Sequence, residues 1–166
     1  MAGMMEQLLE LMEEQIERHN ELLGLSLEEK DAIISNDIET LQKLVNLKNI
    51  VISQNNKLEK KRLSLINDIS TVMASDKTDI DLTELIEFMK GRPEEENLKD
   101  VGRRLRAVVN ELKEANDLNK DLLEQALMFV EYSLNALRTT LAPEVNVPVG
   151  KPSADDVSFG TFDTIG

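Results

Sequence analysis

Cysteine is absent from the 166 residues, which excludes disulfides, thiolate chemistry and cysteine-bound metal at once. Tryptophan is absent too, and aromatics amount to 3%, too few for base-stacking platforms or aromatic sugar clefts. Histidine occurs once, as His19, which leaves no basis for a multi-histidine metal site. Positive charge is the scarce sign: 19 Lys and Arg stand against 32 Asp and Glu. A net charge of −13 argues against nucleic acid and anionic membrane surfaces as partners. The longest unbroken apolar run is "ALMFV" at 126–130, far short of a membrane span. The amino terminus, "MAGMMEQLLELMEE", is acidic where a secretory leader would be basic, so a cytoplasmic location is expected. Glycine and proline are missing from Leu25 to Met89, a gap that suits long uninterrupted helices.

What the chain does have is helical periodicity. In residues 4–34, Met5, Leu9, Met12, Ile16, Leu23, Leu27 and Ile34 recur on one side. "SND" at 35–37 interrupts that pattern, and Asn36 or Asp37 can cap a second helix, Asn36 with Glu39 as a loose capping box. The second helix, to about residue 74, carries Ile38, Leu41, Val45, Ile52, Leu58, Leu65, Ile69 and Val72 on its apolar side. After a polar loop, Asp81 and Glu84 can cap a short helix that Gly91 stops. Pro93 followed by Glu94, Glu95 and Glu96 is a strong helix start. The last helix repeats an apolar seam every three or four residues: Leu98, Val101, Leu105, Val109, Leu112, Asn116, Asn119, Leu123, Leu127, Val130, Leu134, Leu137 and Leu141. Gly102 inside that seam points to a neighbouring helix approaching closely.

These readings give an all-α fold: a long antiparallel three-helix bundle, coiled-coil-like, with a short connecting helix and an extended C-terminal tail. The bundle takes residues 1–142, with helices at about 4–34, 37–74, 82–90 and 93–142, and the tail takes 143–166. The tail holds three prolines and three glycines, yet Phe159, Phe162 and Ile165 make it too apolar for an inert linker, and docking on an exposed seam is the alternative to disorder. Charge supports the hairpin: residues 1–31 carry nine acids against two bases, whereas 37–74 carry six bases against four acids. Such pairs serve pairing specificity more than stability.

Chemistry-bearing motifs are missing. A di-iron carboxylate bundle needs Glu-x-x-His on two helices, but Ile16 sits three residues before His19. "NDLNKDLLE" lacks the central glycine of a calcium loop, and the glycines are too isolated for a phosphate loop. Ser64, Ser70 and Ser133 have no histidine in pattern for a nucleophilic triad. No enzymatic activity and no cofactor are expected.

The seams suggest two features. Asn116, Asn119, Asn55 and His19 fall where buried polar layers would fix helix register. A length argument supplies the second: if residue 93 + k faces 74 − k, the turn between helices one and two lies level with about residue 130. Residues 131–141 then overhang by roughly 15 Å at 1.5 Å per residue. The bland reading of Leu123, Leu127, Met128, Phe129, Val130, Leu134, Leu137 and Leu141 is bundle core. Asn119 to about Phe129 are expected to be shared core, for residues 130–141 an interface is favoured, and together these eight are the candidate partner-binding residues.

Two stretches resemble the FlgN family of bacterial flagellar export chaperones. "SNDIETLQKLVNLKN…LEKKRLSLI" places Asp37, Leu41, Leu44 and Lys48, then Leu58, Glu59 and Arg62, on that family's second-helix pattern. "ANDLNKDLLEQALMFVEYSLNAL" places Asn116, Asn119, Leu122, Leu123, Leu127 and Phe129 on its last-helix pattern. The likeness covers most of residues 5–140, and Phe162–Asp163 is similar to the family's tail. It implies a cytoplasmic, non-enzymatic chaperone that holds the C-terminal helical region of hook-associated (hook–filament junction) proteins along its last helix. It also implies a meeting with the flagellar export apparatus, and no membrane insertion. Homo-oligomers in the absence of the partner are compatible with it. The alternative is a self-associating coiled-coil scaffold or adaptor with no export role.

Overall fold

The computed structural model describes residues 2–73 and 80–141. Four α-helices follow one another: α1 (Ala2–Ser35), α2 (Ile38–Val72), α3 (Leu82–Phe88) and α4 (Glu94–Leu141). There is no strand among the described residues, and α1 and α2 pack as an antiparallel hairpin, so the all-α bundle expectation holds. The expected extended tail lies outside the described residues. The chain divides into two units, Met1–Met128 and Phe129–Gly166. The described part of the second is residues 129–141, the last three and a half turns or so of α4.

The α1–α2 turn is set by two residues that the sequence could not rank. Asn36 adopts a left-handed φ of 58°, a region asparagine tolerates better than most residues. That bend sends the Asp37 amide to the Ala32 carbonyl (2.9 Å) and the Asn36 amide to the Ile33 carbonyl (3.2 Å), the two bonds of a Schellman stop. Asp37 then caps α2 by accepting from the Thr40 amide at 3.1 Å. The Asn36–Glu39 capping box is therefore not formed, because Asn36 is committed to ending α1, and Glu39 pairs with Lys43 instead. At α3 the box does form, between Asp81 and Glu84. Gly91, at φ 79°, supplies the bend before α4, and its amide donates to Glu95 at 2.7 Å.

Packing concentrates at the end of the bundle where α3 sits. Met5, Leu8, Met12 and Ile16 of α1 meet Ile66 and Ile69 of α2, Leu85 of α3, and Leu98 and Val101 of α4, with Ile80 and Met89 closing the cluster. A Cβ on Gly102 would stand 3.1 Å from Leu82 Cδ2, so α3 does approach α4 closely there. A smaller cluster of Leu22, Val51 and Leu112 lies further along.

The buried stripe of α1 differs from the one read by picking apolar residues alone. It runs through Met5, Leu8, Met12, Gln15, His19, Leu22, Ser26, Glu29 and Ile33, a strict three–four repeat. Leu27 and Ile34 face outward. Four positions of the repeat are polar, which is why an apolar-only reading drifted onto the neighbouring stripe.

Candidate functional site

Polar bonds between helices fix the register. Ser26 Oγ donates to Asn116 Oδ1 at 3.0 Å, and Asn119 Nδ2 donates to the Ser26 carbonyl at 2.8 Å. Arg104 also pairs with Glu13, an exposed contact that, with Asp100, raises the guanidinium pKa. All three pairings run α4 parallel to α1 with an offset of about 90 residues. Ser35, the last residue of α1, therefore lies level with about residue 125 of α4, roughly one turn earlier than the sequence register placed it. From its length alone, α4 is expected to start level with the end of α2, residue 93 beside residue 74. The Lys48–Asn116 contact puts residue 94 level with about residue 70, about three residues from that register.

Burial along α4 follows that register. Asn119 is buried, and Leu122, Leu123 and Ala126 are half-buried. From there every large apolar side chain is exposed: Leu127 56%, Met128 70%, Phe129 69%, Val130 50%, Leu134 50%, Leu137 56% and Leu141 80%. The reading of residues up to about Phe129 as shared core is thus corrected, since cover ends near Ala126. Leu127, Val130, Leu134, Leu137 and Leu141 keep the three–four spacing of the buried seam that precedes them, so they share one helix face. Only Glu124, Glu131 and Arg138 are charged between residues 124 and 141.

The four polar-layer candidates fall in two places. Asn116 and Asn119 join Ser26, Glu29 and Lys48 in one layer. There Lys48 Nζ reaches Glu29 at 2.5 Å and Asn116 at 3.1 Å, and the Lys48 and Glu29 side chains keep only 13% and 9% of their exposure. Asn55 and His19 lie toward the α3 end, with Gln15, Glu59 and Arg62. His19 Nδ1 stands 2.7 Å from the Gln15 carbonyl, and Gln15 Nε2 donates to Glu59 at 2.7 Å. The Arg62 guanidinium holds the Glu59 carboxyl below its ordinary range; partial burial opposes this and the Gln15 bond assists it. Gln15 Oε1 and Asn55 Oδ1 are buried without a hydrogen-bond partner. Ser26 and Glu29 were not singled out from the sequence, although the repeat counted from Met5 lands on both.

Among the described residues no group of three or more His, Asp or Glu side chains could hold a metal, and no helix is long and apolar enough to cross a membrane. Two open surface grooves occur among the described residues: one beside Gln7, Leu11, Lys61, Ser64, Leu65 and Asp68, the other beside Leu41, Gln42, Val45 and Asn46. What the fold defines is an all-α helical hairpin protein with a long amphipathic last helix. The sequence model of one family, described as FlgN protein, matches residues 1–146, and the chain belongs to that family. Its general role is that of a flagellar export chaperone. Comparison with curated proteins and with solved structures gives no match.

Proposed function

We propose that this chaperone binds the C-terminal helical region of hook-associated proteins in the cytoplasm and keeps them soluble until they reach the export apparatus. The observation that carries the reading is the exposed face of Leu127, Val130, Leu134, Leu137 and Leu141, flanked by Met128 and Phe129. A three–four apolar repeat is complementary to another amphipathic helix, whose own apolar side chains it would cover. The methionine beside it suits an adaptable surface, and the acidic bundle supplies solubility to the complex. Binding here is non-catalytic and uses no cofactor.

The test is Leu137→Glu in the full chain, assayed for capture of a hook-associated protein. The reading requires lost capture with unchanged far-UV helicity and melting, because the side chain is exposed. Collapse of the fold would place Leu137 in a core and sink the assignment. A self-associating scaffold with no export role is the second reading. It is favoured if capture from native cytoplasm returns only further copies of this chain.

A further inference from the structure

The α1–α2 turn carries two isoleucines that the described residues leave largely uncovered. Ile34 and Ile38, on either side of the Asn36 bend, are both 66% exposed. Each lies on the α4 side of the hairpin. Ile34 comes three heptads after Glu13, whose ion-pair partner Arg104 is on α4. Ile38, Leu41, Val45 and Lys48 follow one three–four stripe of α2, and Lys48 contacts Asn116 of α4. The same contacts give the level. Arg104 stands 91 residues after Glu13, which sets Ile34 beside residue 125. Counting back along the antiparallel α2 from Lys48–Asn116 sets Ile38 beside residue 126.

The seam residue at that level is Ala126, which is half-buried. The seam has Leu122 and Leu123 just before it, but here it offers a single methyl, too small to cover either isoleucine. The result is a notch with Ala126 as its floor and Ile34 and Ile38 as its walls, placed where the cover of α4 ends. We propose that this notch is an anchor pocket of the partner site, and that it takes one large aliphatic or aromatic side chain of an amphipathic helix lying along α4. The inference rests on the reading of the exposed α4 face as the partner site.

Continuity and charge select that occupant. Leu127 adjoins Ala126 and is exposed, so the notch opens directly onto the apolar track of α4. Binding strength concentrates in a few such enclosed anchors rather than along a whole track. The surroundings are acidic: residues 28–39 carry Glu28, Glu29, Asp31, Asp37 and Glu39 against Lys30 alone. Lys48 takes up Glu29 and Lys43 takes up Glu39, which leaves Glu28 and Asp31 without a salt bridge among the described residues. The anchor side chain of the partner is therefore expected next to Lys or Arg, whose attraction to this rim sets orientation and association rate more than affinity.

The experiment is calorimetric titration of the full chain with the C-terminal segment of a hook-associated protein, with thermal melting of every variant. Ala126→Leu fills the notch with the chain's own side chain, and leucine is nearly as good a helix former as alanine. It should melt at or above wild type and bind about tenfold or more weakly. Ile34→Ser with Ile38→Ser removes the walls and should weaken binding to a similar degree, with melting unchanged because both side chains are exposed. Affinity within about twofold of wild type for either variant overturns the proposal. So does a lowered melting temperature of Ala126→Leu, which would mean that the space is already filled. Ala126→Leu that spares binding but lowers the mass of the chain alone in sedimentation assigns the notch to a second copy and also overturns it. Leu137→Glu, run beside these, separates the two readings. Binding lost there but kept in Ala126→Leu overturns the notch and leaves the α4 face standing; the reverse overturns the face and keeps the anchor.

Discussion

Lys48→Met is the most informative change in the bundle interior, because it breaks an ion pair enclosed by three helices. Lys48 bonds Glu29 at 2.5 Å and Asn116 at 3.1 Å, while Asn116 Oδ1 also accepts from Ser26. Removing the ammonium leaves the Glu29 carboxylate with Asn119 alone, at 3.4 Å, in a layer where its side chain is 9% exposed. An uncompensated buried charge of this kind destabilises by about 3–5 kcal/mol. The residual Asn119 contact and the slight exposure set the expectation at the lower end, about 3 kcal/mol. Urea unfolding followed by far-UV circular dichroism measures it. The pair itself need not stabilise: Glu29→Leu with Lys48→Met removes both charges, and the double variant should return to within about 1 kcal/mol of wild type or exceed it. A single variant that loses less than about 1 kcal/mol would mean that water reaches Glu29 freely, and the buried-layer description would then be wrong.

Acid sensitivity follows from Glu59. Its folded pKa is lowered, first by Arg62, so its contribution is fully present above its ordinary value of 4.5 and is lost as pH falls through the lowered folded value. Glu59→Gln should melt lower than wild type at neutral pH, and the two melting curves should converge as the pH falls through the lowered folded value; a gap that persists below it contradicts the assignment. Gly91→Ala forces an ordinary side chain into φ 79°, where the left-handed region disfavours a Cβ by about 1–2 kcal/mol, readable as a shift in the urea midpoint. Met12→Ala, in the fully buried cluster under α3, should lose about 2–5 kcal/mol by the same assay; a loss below about 1 kcal/mol would mean that the cluster is not packed.

How much of this was legible in the sequence depended on which signals are local. Helix starts at Asp81 and at Pro93-Glu94 could be read because the cap and dipole groups lie within a turn of the helix they serve. The Asn36–Asp37 step was readable only as a choice of two, since both residues can cap and the outcome rests on which one takes the left-handed bend. The apolar stripe of α1 was displaced because its repeat passes through Gln15, His19, Ser26 and Glu29. Those residues are buried only because partners arrive from α2 and α4, which no single-helix pattern contains. The level of the hairpin turn missed by about one turn for a related reason: the short helix α3 could be read locally, but its packing on α1 and α4 depends on partners distant in sequence. The seam of α4 was readable except at Val109, where the structure buries Val108 instead, but where its cover stops had to come from the register.

On this reading the exposed end of α4 holds the partner. Hydrogen exchange of the full chain, with and without the C-terminal segment of a hook-associated protein, tests it most directly. Without that segment, amides of residues 127–141 should exchange faster than those of 98–119, in keeping with their exposure. Adding the segment should slow exchange within 127–141 and leave 98–119 nearly unchanged. Protection that appears elsewhere on the bundle while 127–141 stays fast would contradict the claim.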